Sequence, residues 1–400
     1  MHSSNINGMD MIVPKTFEGV LPVSPNRQRF DFEPYAFIGF KLSKILGGIV
    51  FDIGASYGVM TTLLARLVGE EGQVHSFEAN ADVIEKEKEI VMVNNLEDIV
   101  LLNNIFVGDK TDIEVEFYAI PGYKSVASTG NASIINKYPD AEKRKIQTVK
   151  IDDYCIRKNV FPDLIKIDIE GAEYIAVLGM TNLLSCKGPD IVIETHGEGI
   201  KGIGGSLNEL VELLDSYGYC FLDLKTGKVV DGEIYSKEYK KKIRYILASK
   251  KIKNDEYRKH VIHVSGYEIN ELAERERQKS LISEARKLID NSQFNNAELI
   301  LNKIVQRDEN NAEAFYLLAF CMHMNNKGSE DVIKLYNKSL EMGFNEFWIR
   351  YNRGSFYFNT GNYKDAKEDL LRALQLDPNH PGVKNILNSL EEVSKCLSSY

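Results

Sequence analysis

The stretch Val50-Phe51-Asp52-Ile53-Gly54-Ala55-Ser56-Tyr57-Gly58, followed twenty residues after Gly58 by Glu78 within Phe77-Glu78-Ala79-Asn80, decides the fold. The apolar run Gly48 to Phe51 predicts a buried strand, and Thr61 to Leu67 predicts a helix that stops near Gly69. The glycine-rich turn between them carries no side chain that would hold a ligand away from the backbone. A second strand, Gln73 to Phe77, delivers Glu78 to the same sheet edge, where a carboxylate can accept both hydroxyls of a ribose. The two signals together describe a nucleoside-binding crevice.

Two rival patterns overlap these residues. A dinucleotide fingerprint requires Gly-x-Gly-x-x-Gly; counted from Gly54, its second and third glycine positions hold Ser56 and Val59, so the match fails twice. Gly54-Ala55-Ser56-Tyr57-Gly58 also satisfies Gly-x-Ser-x-Gly, the nucleophile elbow of hydrolases, and Asp168 and His196 follow in the order a triad needs. That elbow sits after several strands and behind an oxyanion loop, whereas only a short segment without His-Gly-Gly precedes it here. A serine hydrolase built on Ser56 is therefore a remote alternative. A glycine turn with no ligand would leave Glu78 unexplained.

A chain of 400 residues has room for two or three domains. The net charge of −9 argues against nucleic acid as the main partner, and the basic run Lys237 to Arg244 reads as a solvated segment before a strand. The cysteines, Cys155, Cys186, Cys220, Cys321 and Cys396, are odd in number, widely spaced and without Cys-x-x-Cys, so neither a disulfide framework nor a zinc site is expected. The first residues carry no charged-then-apolar leader, and no apolar stretch reaches membrane-spanning length, which predicts a cytoplasmic protein with no membrane span.

Residues 1–47 read as an irregular lead-in ending in a helix from Tyr35 to Ile45. From 48 to 250 strand-like runs (49–53, 73–78, 99–107, 113–119, 146–151, 164–169, 190–195, 218–224, 243–249) alternate with helical ones (58–68, 81–95, 171–185, 206–217). This predicts an α/β fold, a mostly parallel sheet covered by helices on both faces, its last two strands pairing as an antiparallel edge hairpin. Residues 113–151 break the alternation and are a candidate lid on the substrate side, with Tyr123, Ser128, Asn131 and Ser133 as pocket residues.

Residues 251–275 read as a linker and 276–400 as an all-α repeat domain. Phe294-Asn295-Asn296-Ala297 and Tyr363-Lys364-Asp365-Ala366 are equivalent and 69 residues apart, about two periods of the 34-residue tetratricopeptide (TPR) unit. Gly354, Tyr357, Ala366, Ala373 and Pro378 of the third copy match its small, aromatic and proline positions, and Ala319 and Ser339 stand at small positions of the second. The first copy has Ala285, Leu288, Ala297 and Leu301, and 381–396 would cap the array.

Ligands of an open parallel sheet sit at the carboxyl ends of its strands. Two strands end there in polar clusters, Asp168 and Glu170 within Leu164 to Glu173, and Glu194 and His196 within Ile191 to Gly197. Carboxylates and an imidazole beside a cofactor crevice suit the removal of a proton from a hydroxyl. Asp168, Glu170, Glu194 and His196 are accordingly the candidate catalytic residues. Glu173 reads as a charge at a helix start, and Lys166 as a partner for Glu170 or Glu194. An oxygen-rich cluster of this kind can hold a divalent cation, but no spacing is diagnostic and no metal ligand is assigned.

Val50 to Ala55, Phe77-Glu78, Thr148 to Tyr154 and, most specifically, Lys166-x-Asp168-x-Glu170-Gly171-Ala172-Glu173 resemble the successive motifs of the FkbM family of methyltransferases. Asp52-x-Gly54-x-x-x-Gly58 is the form that S-adenosylmethionine (SAM) methyltransferases use. The resemblance covers about 48–250. It implies a Rossmann-like class I SAM methyltransferase sheet and O-methylation of a hydroxyl-bearing small molecule or glycan, such as a sugar or secondary metabolite. Carried over by position, Asp52, Gly54, Ala55, Ser56, Gly58, Glu78, Ala79 and Asn80 hold SAM, with Asp109 near the adenine. The family has asparagine where Ser56 stands, and serine keeps a hydrogen-bonding group. The TPR-like domain suggests a protein partner, and the alternative is a catalytically weak scaffold whose repeats mediate interaction.

Overall fold

A computed structural model of the chain describes residues 2–17, 29–119, 141–196, 200, 205–230, 244–327 and 329–397. The chain divides into two compact units, Met1–Leu272 and Ala273–Tyr400.

The first unit is built on strands β1 His2–Ile6, β2 Met9–Val13, β3 Arg29–Phe30, β4 Ile49–Ile53, β5 Gln73–Glu78, β6 Val100–Asn104 and β7 Phe106–Val107. They are followed by β8 Glu114–Ala119, β9 Glu142–Val149, β10 Leu164–Ile167, β11 Asp190–Thr195, β12 Cys220–Asp223, β13 Lys228–Val230 and β14 Arg244–Ser249. Eight of them form the main sheet in the order β13-β12-β14-β11-β10-β4-β5-β6. Strands β6, β5, β4, β10 and β11 run parallel, and β14 runs antiparallel to both its neighbours. The strand order reverses between β4 and β10, and that switch point opens a crevice at their carboxyl ends.

Strand alternation divides the core in two. Val50, Val74, Leu164, Val192 and Leu247 face one way, packing with Phe40, Leu63, Leu64, Val83 and Ile90 from helices Pro34–Ser43, Val59–Val68 and Ala81–Val93. Phe51, Phe77, Ile165, Ile191 and Ile246 face the other, against Cys155, Ala176, Leu184 and Leu210 from helices Ile151–Lys158, Glu173–Leu178, Thr181–Cys186 and Leu207–Ser216.

Several sequence expectations change. The lead-in is not irregular: β1 and β2 form an antiparallel hairpin through Asn7-Gly8, both at positive φ (52° and 86°), the turn that matches strand twist. The final pair is antiparallel as expected, but β14 lies between β11 and β12, and β13 forms the edge. Ile246, Leu247 and Ala248 are all fully buried, as only an interior strand allows. The run 146–151 is cut short because Ile151–Lys158 is a helix, with Asp152 and Asp153 in its first turn and Arg157 and Lys158 in its last. The single helix expected over 171–185 is two, divided where a Cβ on Gly179 would lie 2.0 Å from the carbonyl oxygen of Gly108. Strand 99–107 is split at Ile105, and β7 joins β9 and β8 in a separate sheet. Of the lid 113–151, β8 and β9 form an antiparallel pair; Tyr123, Ser128, Asn131 and Ser133 lie outside the described residues.

The segment read as a linker is helical from residue 255, within helix Asp255–Asp290. Beyond it the second unit pairs Phe294–Arg307 with the end of that helix, Ala312–Met324 with Ser329–Glu341, and Glu346–Asn359 with Tyr363–Leu376, and closes with Pro381–Leu397. Ala285, Ala297, Ala319, Ala366 and Ala373 are completely buried where paired helices cross. A Cβ on Gly354 would stand 2.9 Å from Leu370 Cγ. Gly354→Leu should therefore lower the stability of the helical unit by about 1–3 kcal/mol, read from its denaturant midpoint; an unchanged midpoint would contradict this packing.

Candidate active site

The site is assembled around one buried cation. Lys166 of β10 stands in register with Asp52 of β4. Its Nζ lies 3.5 Å from Asp52 Oδ1, 3.5 Å from Asp168 Oδ2 and 3.4 Å from the carbonyl oxygen of Gly54. Burial works against the charged ammonium, but Asp52, Asp168, Glu33 and Glu194 outweigh it and hold the lysine above its ordinary pKa. The pairing expected with Glu170 or Glu194 is thus taken by Asp52 and Asp168, because cross-strand register sets nearest neighbours.

The turn after β4 is fixed sterically as well as by charge. The amides of Gly54 and Ala55 both donate to the carbonyl oxygen of Phe77. Gly54 has φ 87°, and a Cβ there would sit 1.9 Å from the carbonyl oxygen of Asp168. Gly58 begins helix Val59–Val68 at φ 77°, with Glu87 Cγ 2.6 Å from where its Cβ would be. Ser56 is also left-handed, at φ 50°.

Glu78, fully inside, accepts from the Ser56 amide on Oε2 (2.9 Å) and from the Asn80 amide on Oε1 (2.7 Å). Burial pushes its carboxyl up to about 7, against those two backbone hydrogen bonds. A pocket opens beside it, lined by Ile53, Gly54, Phe77, Glu78, Ala79, Ile105, Phe106, Val107, Asp168 and Ile169. Asn80 caps helix Ala81–Val93 by accepting from the Asp82 amide, and its buried Nδ2 has no hydrogen-bond partner among the described residues. Asp109 is exposed and does not line this pocket; Phe106 and Val107 stand there instead.

Behind the turn, Thr61 Oγ1 lies 2.7 Å from Asp52 Oδ2 and 2.9 Å from Glu87 Oε1. A hydroxyl has one proton to give. Burial, reinforced by Asp52, raises the Glu87 carboxyl well above its usual range, against its hydrogen bond from Thr61.

The second cluster gathers the predicted catalytic residues. Strand β10 ends at Ile167, so Asp168 and Glu170 belong to the turn that follows, with Glu170 at φ 54°. Glu173, buried at the start of its helix, accepts from the Gly171 amide (3.0 Å) on Oε1, which also lies 2.7 Å from His196 Nδ1. His196 Nε2 then faces Glu170 Oε2 at 3.6 Å, Glu194 Oε1 at 3.8 Å and Asp168 Oδ1 at 4.0 Å. Burial opposes a charge on His196, but the Glu173 hydrogen bond and the surrounding carboxylates raise its pKa to about 9. Burial and Asp168 push Glu194 up to about 8, and Tyr245 hydrogen-bonds to it. No hydrogen bond joins Ser56 to His196 among the described residues, and Nε2 faces carboxylates, so a Ser-His-Asp triad is not formed.

Two residues were missed in the sequence. Tyr245 comes from β14, an interior strand that was read as part of an edge hairpin. Glu33 precedes helix Pro34–Ser43 at φ 39°; burial raises its carboxyl to about 7, with Lys166 pulling it down and Asp168 and Asp52 pushing it up. Its only local signal is the Pro34 that begins the helix.

Comparison with known proteins supports a methyltransferase. Residues 52–221 match the family model described as methyltransferase FkbM domain, and residues 347–380 match the tetratricopeptide repeat. The chain therefore carries an FkbM methyltransferase domain and a tetratricopeptide repeat. Similar solved structures include a methyltransferase FkbM from Methylobacillus flagellatus (16% identity, 50% of this chain and 43% of that one, TM-score 0.31). Others are an O-methyltransferase from Bacillus cereus in complex with SAH (16%, 58% and 86%, 0.33) and a SAM-dependent O-methyltransferase from Thermotoga maritima (13%, 60% and 73%, 0.33). No curated protein matches the chain.

Gly54→Ala combines a left-handed backbone with the clash against Asp168 and should cost about 2 kcal/mol or more of stability in the first unit. Thermal unfolding of the variant checks this; wild-type stability would show that the turn can move away from Asp168.

Proposed function

We propose that the protein is a SAM-dependent O-methyltransferase acting on a hydroxyl of a sugar, glycan or secondary metabolite. The observation that carries the cofactor class is Glu78: a buried carboxylate at a parallel strand tip, oriented by two backbone amides and open to an apolar pocket. Those residues fit an adenosyl group. Glu78 would take the ribose hydroxyls, and Ile105, Phe106 and Val107 would flank the base. Asp52, Ala79 and the Gly54–Gly58 turn would complete the crevice.

SAM supplies an electrophilic methyl on a positively charged sulfur. A neutral hydroxyl is a poor nucleophile until its proton is removed. The carboxylates around His196 Nε2 (Asp168, Glu170 and Glu194) provide the acceptor for that proton, and the same cluster orients the hydroxyl oxygen. Loss of the O–H proton to one of these carboxylates would free the oxygen to accept the methyl that bound SAM would supply, its sulfur keeping the bonding pair. Glu173 fixes the ring of His196 and so the shape of the cluster. The helical unit is read as the surface for a protein partner. The scaffold alternative would leave the orientation of Glu78 and the neutralisation of Asp52 by Lys166 without a purpose.

Glu78→Ala should weaken SAM binding about 10–100-fold, the effect of losing hydrogen bonds to a charged group. Asp168→Asn should slow transfer and leave SAM affinity within a few-fold of wild type. Calorimetric titration alongside a methyl-transfer assay separates the two, and equal loss of SAM affinity in both variants would contradict the division of roles.

Ionised Glu78 is the better acceptor for ribose hydroxyls. Because its carboxyl titrates near 7, SAM affinity should rise between pH 6 and 8 as the proton leaves, and Glu78→Gln should flatten the rise. A wild-type affinity that does not change over this range contradicts the assignment.

A further inference from the structure

The geometry around His196 points to a second ligand of the site: we propose that Asp168, Glu194 and His196 bind a divalent first-row cation of the Mn²⁺ type. The proposal rests on the reading of this cluster as the acceptor side of a methyl-transfer site.

The first argument is the orientation of the imidazole. Buried Glu173 holds Nδ1 at 2.7 Å, which turns Nε2 into the cluster. A histidine whose far nitrogen is fixed by a carboxylate is the arrangement found in metal-ligating histidines.

The second is spacing. Three carboxylate oxygens surround Nε2 at 3.6, 3.8 and 4.0 Å, all beyond the ~3.2 Å limit of a hydrogen bond. Atoms that share an ion at about 2.1 Å lie about 3–4 Å apart. One donor atom each from Asp168, Glu194 and His196 falls within 4.8 Å of the others. The nearby lysine does not fill this position. Lys166 takes the Oδ2 side of Asp168, and Oδ1 faces His196.

The third is independent of the cluster's own residues. Glu33 arrives from the N-terminal segment; burial raises its carboxyl, Lys166 and His196 pull it down, and Asp168 and Asp52 push it up. Its Oε2 is sealed from solvent and has no hydrogen-bond partner among the described residues. The segment is held by a reciprocal pair of bonds: the Phe32 amide donates to Asn7 Oδ1 (2.8 Å), and Asn7 Nδ2 donates to the Phe32 carbonyl oxygen (2.7 Å). Among the described residues, Lys166 and His196 are the cations that Glu33, Asp52, Asp168, Glu170, Glu173 and Glu194 share. A divalent cation would add a third positive centre to this group.

One imidazole among carboxylates suits manganese better than calcium, which takes oxygen ligands alone. With Asp168, Glu194 and His196 as ligands, Glu170, whose side chain is 47% exposed, is left to take the proton of the acceptor. The cation would hold the acceptor oxygen and favour loss of its proton.

The test is titration of the metal-stripped full-length chain with Mn²⁺ alone, read by the electron paramagnetic resonance of free and bound ion. SAM binding is measured separately by calorimetry on each sample. One bound ion per chain, with nitrogen coupling from an imidazole, is expected. Glu194→Gln and Asp168→Asn should each weaken it at least tenfold while still binding SAM, and the exposed Glu309→Gln should not change it. No stoichiometric Mn²⁺ on a wild-type chain that binds SAM overturns the cation site and leaves the methyltransferase reading intact. Bound Mn²⁺ without nitrogen coupling, or with undiminished affinity in Glu194→Gln, also overturns it. A wild-type chain that takes Mn²⁺ at this cluster but not SAM supports the site and removes the functional reading.

Discussion

The buried ammonium of Lys166 is the constraint on which the rest of the site depends. A charge this deep is tolerated only when it is paired, and removing one partner leaves the other uncompensated at a cost of several kcal/mol. Lys166 sits on β10, where the parallel register places it against Asp52 and the turn after the strand brings back Asp168. The strand order therefore decides the chemistry. Were β10 not beside β4, the acidic residue of the glycine turn and that of the second motif could not share one counter-ion. The same closeness explains Gly54, whose missing side chain makes room for the Asp168 carbonyl.

From Lys166 the site extends in two directions with different electrostatics. On the Asp52 side, Thr61 stands between Asp52 and Glu87, and Glu78 is oriented by two backbone amides. Fixed donors of that kind suit recognition of a neutral polar group. On the Asp168 side the carboxylates are closer together and share one imidazole, whose free nitrogen none of them reaches at hydrogen-bond distance. Crowded like charges suit the handling of protons or cations. A single sheet edge so carries an amide-oriented carboxylate and, beside it, a crowded acidic cluster.

Much of this was legible in the sequence because it is local. The turn from Asp52 to Gly58, the strand that ends at Glu78 and the tip motifs are contiguous runs whose periodicity fixes their position. The repeat unit was legible for the same reason: small residues recur at helix crossings. What escaped depends on distant partners. Glu33 reaches the site because Asn7 of a hairpin grips Phe32, and Tyr245 because β14 inserts between β11 and β12. The helix at Ile151–Lys158 was hidden because Ile151 continues the apolar alternation of β9. Asp152 then caps a helix thirty residues on, accepting from the amides of Asn182 and Leu183, a role no local pattern announces. Asp109 was placed near the base by analogy of position, and the split of strand 99–107 at Ile105 gives that wall to Phe106 and Val107.

The most direct test of the central claim is a crystal structure of the chain with S-adenosylhomocysteine bound. The account predicts the ribose hydroxyls on the Glu78 carboxylate, the adenine between Ala79 and the Ile105–Val107 wall, and the sulfur facing the Asp168–His196 cluster. A ligand bound elsewhere, or a Glu78 that keeps only its two backbone amides while the ribose lies on other residues, would contradict it.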